Sequence, residues 1–139
     1  MAVVTIIGVL SGLSISKIGR MADVAREARA IEEIRLISIE LSAQDTLPST
    51  LAGIHRDGML DPWGHPYQYL LFPPPSIHGH GGPPAGARKD RFLVPINSLF
   101  DLYSMGADGN TTPPLTAAQS RDDIIYANDG GYIGRASGY

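Results

Sequence analysis

The sequence predicts an α+β fold in which one long N-terminal helix packs on a small antiparallel β-sheet. Three observations predict it. The first sixteen residues carry no charge, the next stretch places apolar residues at helical spacing, and almost all of the 16 glycines and 11 prolines follow residue 45. The chain is therefore expected to divide into a helix over residues 1–45, apolar and then amphipathic, and a β-rich head over residues 46–139.

The uncharged segment, residues 1–16, has nine Met, Val, Ile or Leu side chains among its first fifteen residues. At about 1.5 Å per residue it reaches roughly 24 Å, which is shorter than the hydrocarbon core of a bilayer at about 30 Å. A signal peptide would need a basic start, whereas the first cation, Lys17, follows the apolar run. Two interpretations stay open: a buried core helix, and a membrane or helix-bundle segment whose front lies ahead of Met1.

The following stretch, residues 17–42, has the periodicity of an amphipathic helix, and no proline occurs before Pro48. We therefore expect both segments to form one helix of roughly 65 Å, which exceeds the width of so small a head. Its first half is expected to project, where it needs a bilayer or copies of itself. The apolar stripe comprises Ile18, Met21, Val24, Ala28, Ile31, Ile34, Ile37 or Ser38, and Leu41.

In the head, strands are predicted where short apolar or aromatic runs lie between Pro, Gly and Asp. The predicted strands are residues 67–72, 91–96, 100–104 and 124–126. Residues 73–88, rich in proline and glycine, are predicted to form an exposed loop. The sheet formed by these strands is expected to lie on the apolar stripe of the helix.

Several classes of function are disfavoured by composition. The net charge of −3 has no basic patch that would indicate nucleic acid as a partner, and the absence of cysteine excludes disulfides and zinc–thiolate sites. His78 and His80 lie in a flexible loop, which is more typical of solvated side chains than of metal ligands. No nucleophile, acid and base can be assembled, so we predict that the chain is not an enzyme.

Two segments carry a specific resemblance to a known family. Residues 60–69 (LDPWGHPYQY) and 100–109 (FDLYSMGADG) resemble the head of the major pseudopilin of type II secretion systems. Residues 1–16 are similar to the assembly helix of type IV pilin-like proteins just after its opening residues. The physical role of residues 60–69 is a sharp turn fixed by Pro62 and Pro66, with Trp63 packed against the helix near Ile31 and Ile34.

The resemblance implies a structural subunit that polymerises into a helical pilus or pseudopilus filament, for secretion or as a surface appendage. It implies an inner-membrane location before assembly and a periplasmic or extracellular filament afterwards. The partners implied are identical subunits and the secretion or pilus assembly machinery, with no nucleic acid. The helix residues expected to make filament contacts are Val3, Val4, Ile6, Ile7, Val9, Leu10 and Leu13.

The chain departs from the family at its start. The family's mature helix opens with a phenylalanine and carries an early glutamate, whereas the first acidic residue here is Asp23. The resemblance therefore implies that the mature helix begins several residues ahead of Met1, or that assembly uses another register.

The family also binds one calcium ion in the loop that follows the second motif. The resemblance places Asp108 at the first ligand position, and Asp122 and Asp123 where later carboxylates would be. Calcium takes six to eight oxygen ligands, which a loop that folds back can supply. Two prolines and Arg121 interrupt the pattern, so the competing prediction is a plain turn with an Arg121 ion pair.

A second class of function stays open on sequence alone. A membrane-anchored binding module would recognise a ligand through residues 73–88 and would not polymerise. Concentration-dependent filaments in electron micrographs separate the two functions.

Overall fold

The computed structural model describes residues 2–74 and 82–139, with side chains from Ile15 onward in those ranges. It consists of one long helix, α1, and a four-stranded antiparallel sheet in the order β1-β2-β3-β4. The α+β prediction is thereby confirmed. The elements are α1 Ala2–Ser42, β1 Gln68–Leu71, β2 Phe100–Ser104, β3 Ile124–Ala127 and β4 Tyr132–Arg135, with 3₁₀ turns at Leu51–Ile54, Ala118–Ser120, Asn128–Gly130 and Ala136–Gly138.

Helix α1 is continuous, as the lack of proline before Pro48 predicts. Its apolar stripe has two environments. Ala30, Ile34, Ile37 and Leu41 are fully buried, whereas the stripe residues that precede Ala30 are largely exposed. The head therefore covers only the C-terminal part of the helix.

The core lies between that part of α1 and the sheet. Leu102 of β2 and Ile124 of β3 are buried against the helix residues, together with stacked rings of Phe100 and Tyr126 whose centroids are 5.2 Å apart. A smaller cluster on the opposite face of the sheet is built around Ile96, Leu115 and Ile125. Because the two clusters cover opposite faces of the sheet, β3 is buried along its whole length.

The predicted strand at residues 91–96 is wrong. This segment makes a tight turn in which the main chains of Asp90 and Leu93 exchange hydrogen bonds at 2.7 and 3.0 Å, and Arg91 has a φ of 44°. Pro95 cannot donate to a strand ladder, and Phe92 is fully exposed rather than in the core. The sequence predicts a strand here because Phe92, Leu93 and Val94 form an apolar run of the kind that is common in strands.

The fourth strand lies instead at Tyr132–Arg135, where none was predicted. It pairs with β3 in register, so that Tyr126 faces Ile133 and Ala127 faces Tyr132. The connection between β3 and β4 is the sequence Asn-Asp-Gly-Gly at residues 128–131, which is a typical hairpin signal. That signal lies in the sequence and could have predicted the hairpin.

Candidate functional site

The exposed part of α1 presents an apolar surface that begins where the head ends. Ile15, Ile18, Met21 and Val24 are 71, 66, 72 and 68% exposed. Single exposed apolar residues are ordinary on a protein surface, but four at three-residue spacing form a band that turns by about 60° around the helix at each step and is suited to an apolar partner. We call these four residues the exposed stripe.

Polar contacts fix the helix to the head beside this stripe. The hydroxyl of Tyr67 donates to a carboxylate oxygen of Glu33 at 2.6 Å, and burial, together with that contact, raises the pKa of Tyr67. The guanidinium of Arg56 donates to both carboxylate oxygens of Glu40 at 2.5 and 2.9 Å. These contacts join the helix to the segment that leads into β1, so the head holds α1 in one orientation.

An ion pair extends the attachment toward the exposed stripe. Arg135, at the end of β4, lies 3.3 Å from a carboxylate oxygen of Glu27. Because both side chains of this ion pair are partly exposed to solvent, the pair contributes little to the stability of the fold. The pair nevertheless marks the first turn of α1 that contacts the head, since Val24, one turn earlier, is exposed.

Three residues were predicted to pack head against helix. Ile34 is fully buried in the main core cluster, and Ile31 and Trp63 are partly buried and pack against it. The predicted filament contacts lie elsewhere: Val3, Val4, Ile6, Ile7, Val9, Leu10 and Leu13 belong to helix α1, but their side chains lie outside the described residues. Those contacts stay predictions.

The two segments that carry the family resemblance form one structural unit. Asp61, which is 4% exposed, accepts main-chain hydrogen bonds from Trp63 and His65 at 3.0 and 2.9 Å and a third from the hydroxyl of Ser104. The Nδ1 atom of His65 lies 3.1 Å from the carbonyl oxygen of Gly106. The turn at residues 61–66 is thus held against the end of β2, which sets the path of the loop that follows.

That loop contains the three predicted calcium ligands, and a hydrogen bond joins two of them, Asp108 and Asp122. The main-chain amide of Asp108 donates to a carboxylate oxygen of Asp122 at 3.1 Å, and the Asp108 carboxylate accepts from the amide of Asn110 at 2.8 Å. Asp123 is fully buried and points to the interior. Asp108 is exposed, Asp122 is half-buried and Asp123 is fully buried, so the three carboxylates occupy different environments.

The partner of Asp123 is Arg88, which was predicted to end an exposed loop. That prediction is wrong for Arg88, whose side chain is 2% exposed and lies 3.0 Å from Asp123. Thr111 also donates to Asp123, at 2.6 Å. Burial raises the pKa of Asp123 to about 7, against the opposing effects of the Thr111 hydrogen bond and the Arg88 charge. Arg121, the predicted ion-pair partner, is exposed.

The described residues do not form a calcium site around these carboxylates. Among residues 2–74 and 82–139, no three acidic or histidine side chains stand close enough to hold a metal ion. An arginine against Asp123 also repels any cation placed there. Calcium binding at Asp108, Asp122 and Asp123 thus stays a prediction that this geometry does not fit. His78 and His80 lie outside the described residues.

Comparison with known proteins identifies one relative that the chain matches over most of its length. The chain is 31% identical over 134 residues to type II secretion system core protein G of Pseudomonas aeruginosa, in an alignment that covers 78% of this chain and 79% of the relative. The chain belongs to the G-type pseudopilin family. No family model matches the sequence, and no solved structure matches it significantly.

Membership of the G-type pseudopilins gives the exposed stripe a context. In the part of the chain that the structure describes, no helix is long and apolar enough to cross a membrane. The loop of the alternative binding function, residues 73–88, is described only in part, since 75–81 lie outside the described residues. The exposed stripe on α1, by contrast, lies within the described residues.

Proposed function

We propose that this G-type pseudopilin is a structural subunit of a secretion pseudopilus and polymerises through α1. The observation that supports this most is the exposed stripe, Ile15, Ile18, Met21 and Val24. It continues an uncharged helical segment along the length of the helix that the head leaves uncovered. A surface of this kind is complementary to the same helix of another subunit.

The free energy available from such packing is substantial. Full burial of a Val, Ile or Met side chain stabilises by roughly 1.5–3 kcal/mol, so covering the remaining exposed area of four such residues contributes about 4–8 kcal/mol per subunit. The uncharged residues ahead of Ile15 add to this in the proposed filament. The entropy that the subunits lose when they are fixed in the filament offsets part of this free energy.

Before assembly, the apolar half of α1 would sit in the inner membrane, and after assembly it would exchange lipid for the helices of neighbouring subunits. The heads would then form the outer surface of a periplasmic or extracellular filament. The proposed partners are identical subunits and the secretion machinery, and the role is structural rather than enzymatic.

Thiol protection tests the proposed interface, because the native chain contains no cysteine. We expect Met21→Cys to react with a maleimide in detergent-dispersed subunits and to be protected in assembled filaments. Gln119→Cys, at an exposed head position, is the matched control and should react in both states. Equal labelling of Met21→Cys in both states would contradict a filament interface at the stripe.

A further inference from the structure

Arg88 makes a set of contacts that converges on one loop. Its guanidinium donates to the carbonyl oxygen of Thr112 and to the hydroxyl of Thr111, and lies 3.0 Å from Asp123. All three acceptors belong to the segment between β2 and β3. One arginine therefore connects both ends of the stretch 111–123.

The rest of Arg88 is held equally firmly. Its guanidinium carbon lies 3.6 Å from the ring centre of Tyr103 on β2, and its main-chain amide donates to the buried carboxylate of Asp101 at 2.6 Å. Asp101 is fixed in turn by the side-chain amide of Asn97 at 3.0 Å. The arginine is thus held by two residues of β2 as well as by the loop.

The charge of Asp123 is compensated by residues of the chain at one of its two oxygens. A buried carboxylate requires a nearby positive charge or several hydrogen-bond donors, and Arg88 and Thr111 supply both to Asp123 Oδ2. The other oxygen, Oδ1, is buried without a hydrogen-bond partner among the described residues. A divalent cation bound to Asp123 would lie next to the positively charged guanidinium of Arg88, which is buried. The exposed carboxylate of Asp108 and the half-buried carboxylate of Asp122 already accept main-chain hydrogen bonds of the loop.

We propose that Arg88 is the cation that closes the loop between β2 and β3, so that the head folds and keeps its shape without calcium. The loop of residues 105–123 is then ordered by an internal side chain, at a place where the family resemblance implies a metal ion. Subunits of this kind would be insensitive to the calcium concentration around the filament.

Thermal unfolding of the full chain in detergent micelles, with calcium or with a chelator, tests the proposal. We expect the wild-type melting temperature to be the same in both conditions. Arg88→Gln should lower it by about 10 °C in both, because it leaves a buried carboxylate without its partner. Arg121→Gln, which removes the exposed arginine of the same loop, is the matched control and should leave it unchanged.

Two further variants decide the result even where Arg88→Gln does not fold. Thr111→Val removes one hydroxyl donor to Asp123 and should lower the melting temperature by a few degrees, equally with and without calcium. The double variant Asp108→Asn, Asp122→Asn should melt the same in calcium and in chelator, as the wild type does. The proposal is overturned by a calcium-dependent rise in the wild-type melting temperature that this double variant abolishes, or by an Arg88→Gln chain as stable as Arg121→Gln.

Discussion

Truncation of Ile34 to alanine perturbs the contact between helix and head at its centre. Ile34 is fully buried between α1 and the sheet, in a cluster with Leu102, Ile124 and Tyr126. Replacing a buried isoleucine with alanine removes its transfer free energy and leaves a cavity, which together cost about 2–5 kcal/mol. We expect the free energy of unfolding to fall by about 3–4 kcal/mol, because a rigid helix and a four-stranded sheet can move little to fill the cavity.

Ile39→Ala is the matched control on the same helix. Ile39 is 58% exposed, so its truncation removes little buried area, and alanine has the higher helix propensity. The change in the free energy of unfolding should stay within about 0.5 kcal/mol. The two variants have the same composition and differ only in which face of α1 is altered.

The assay is thermal unfolding followed by circular dichroism, at one protein and one detergent concentration, because association shifts the apparent stability. At about 3 °C per kcal/mol for a chain of this size, Ile34→Ala should melt roughly 10 °C below the wild type. Equal melting temperatures for Ile34→Ala and Ile39→Ala would refute the packing of this face of the helix against the sheet.

Three further substitutions test the contacts around the head. Glu40→Gln removes the Arg56 contact, which lowers the folded-state pKa of Glu40 below its usual 4.5. Its contribution to stability is therefore present above that pKa and lost as pH falls, so the melting temperatures of variant and wild type should converge in acid and differ at neutral pH. Tyr67→Phe removes the hydrogen bond to Glu33 and should lower the free energy of unfolding in urea by about 1–2 kcal/mol, and an unchanged urea midpoint would show that this bond contributes nothing. Gly106→Ala should cost more than about 2 kcal/mol, because Gly106 has a φ of 65° and an added Cβ would stand 2.4 Å from a carbonyl oxygen of the facing loop, and a stable Gly106→Ala head would contradict that close approach.

The helix could be predicted because its signals are local and repeated. Apolar residues at helical spacing and the absence of proline before Pro48 indicate α1 within a few residues of its observed end at Ser42. The extent of head coverage could not be predicted, because Val24 and Ile34 belong to the same stripe and have the same local pattern. Which of them is buried depends on where the sheet lies, and that is a tertiary property.

The buried charges of the head were beyond sequence reasoning for a similar reason. Arg88 stands at the end of a proline- and glycine-rich stretch, and nothing local distinguishes it from an exposed arginine. Its burial depends on Asp123 and Tyr103, which are distant in sequence. The sequence predicts Asp123 as a calcium ligand, with an ion pair to Arg121 as the competing prediction, and the structure pairs Asp123 with Arg88 instead.

The most direct test of the proposed function is electron microscopy of filaments from cells that produce the chain together with its secretion machinery. We expect Ile7→Asp to abolish filaments, because burying a carboxylate between apolar helices is costly when no positive charge lies nearby to pair with it. Its melting temperature should stay near that of the wild type, since the described head contacts begin near Glu27. Ala118→Asp, at an exposed head position, should assemble normally. A normal yield of filaments from Ile7→Asp would contradict polymerisation through this helix.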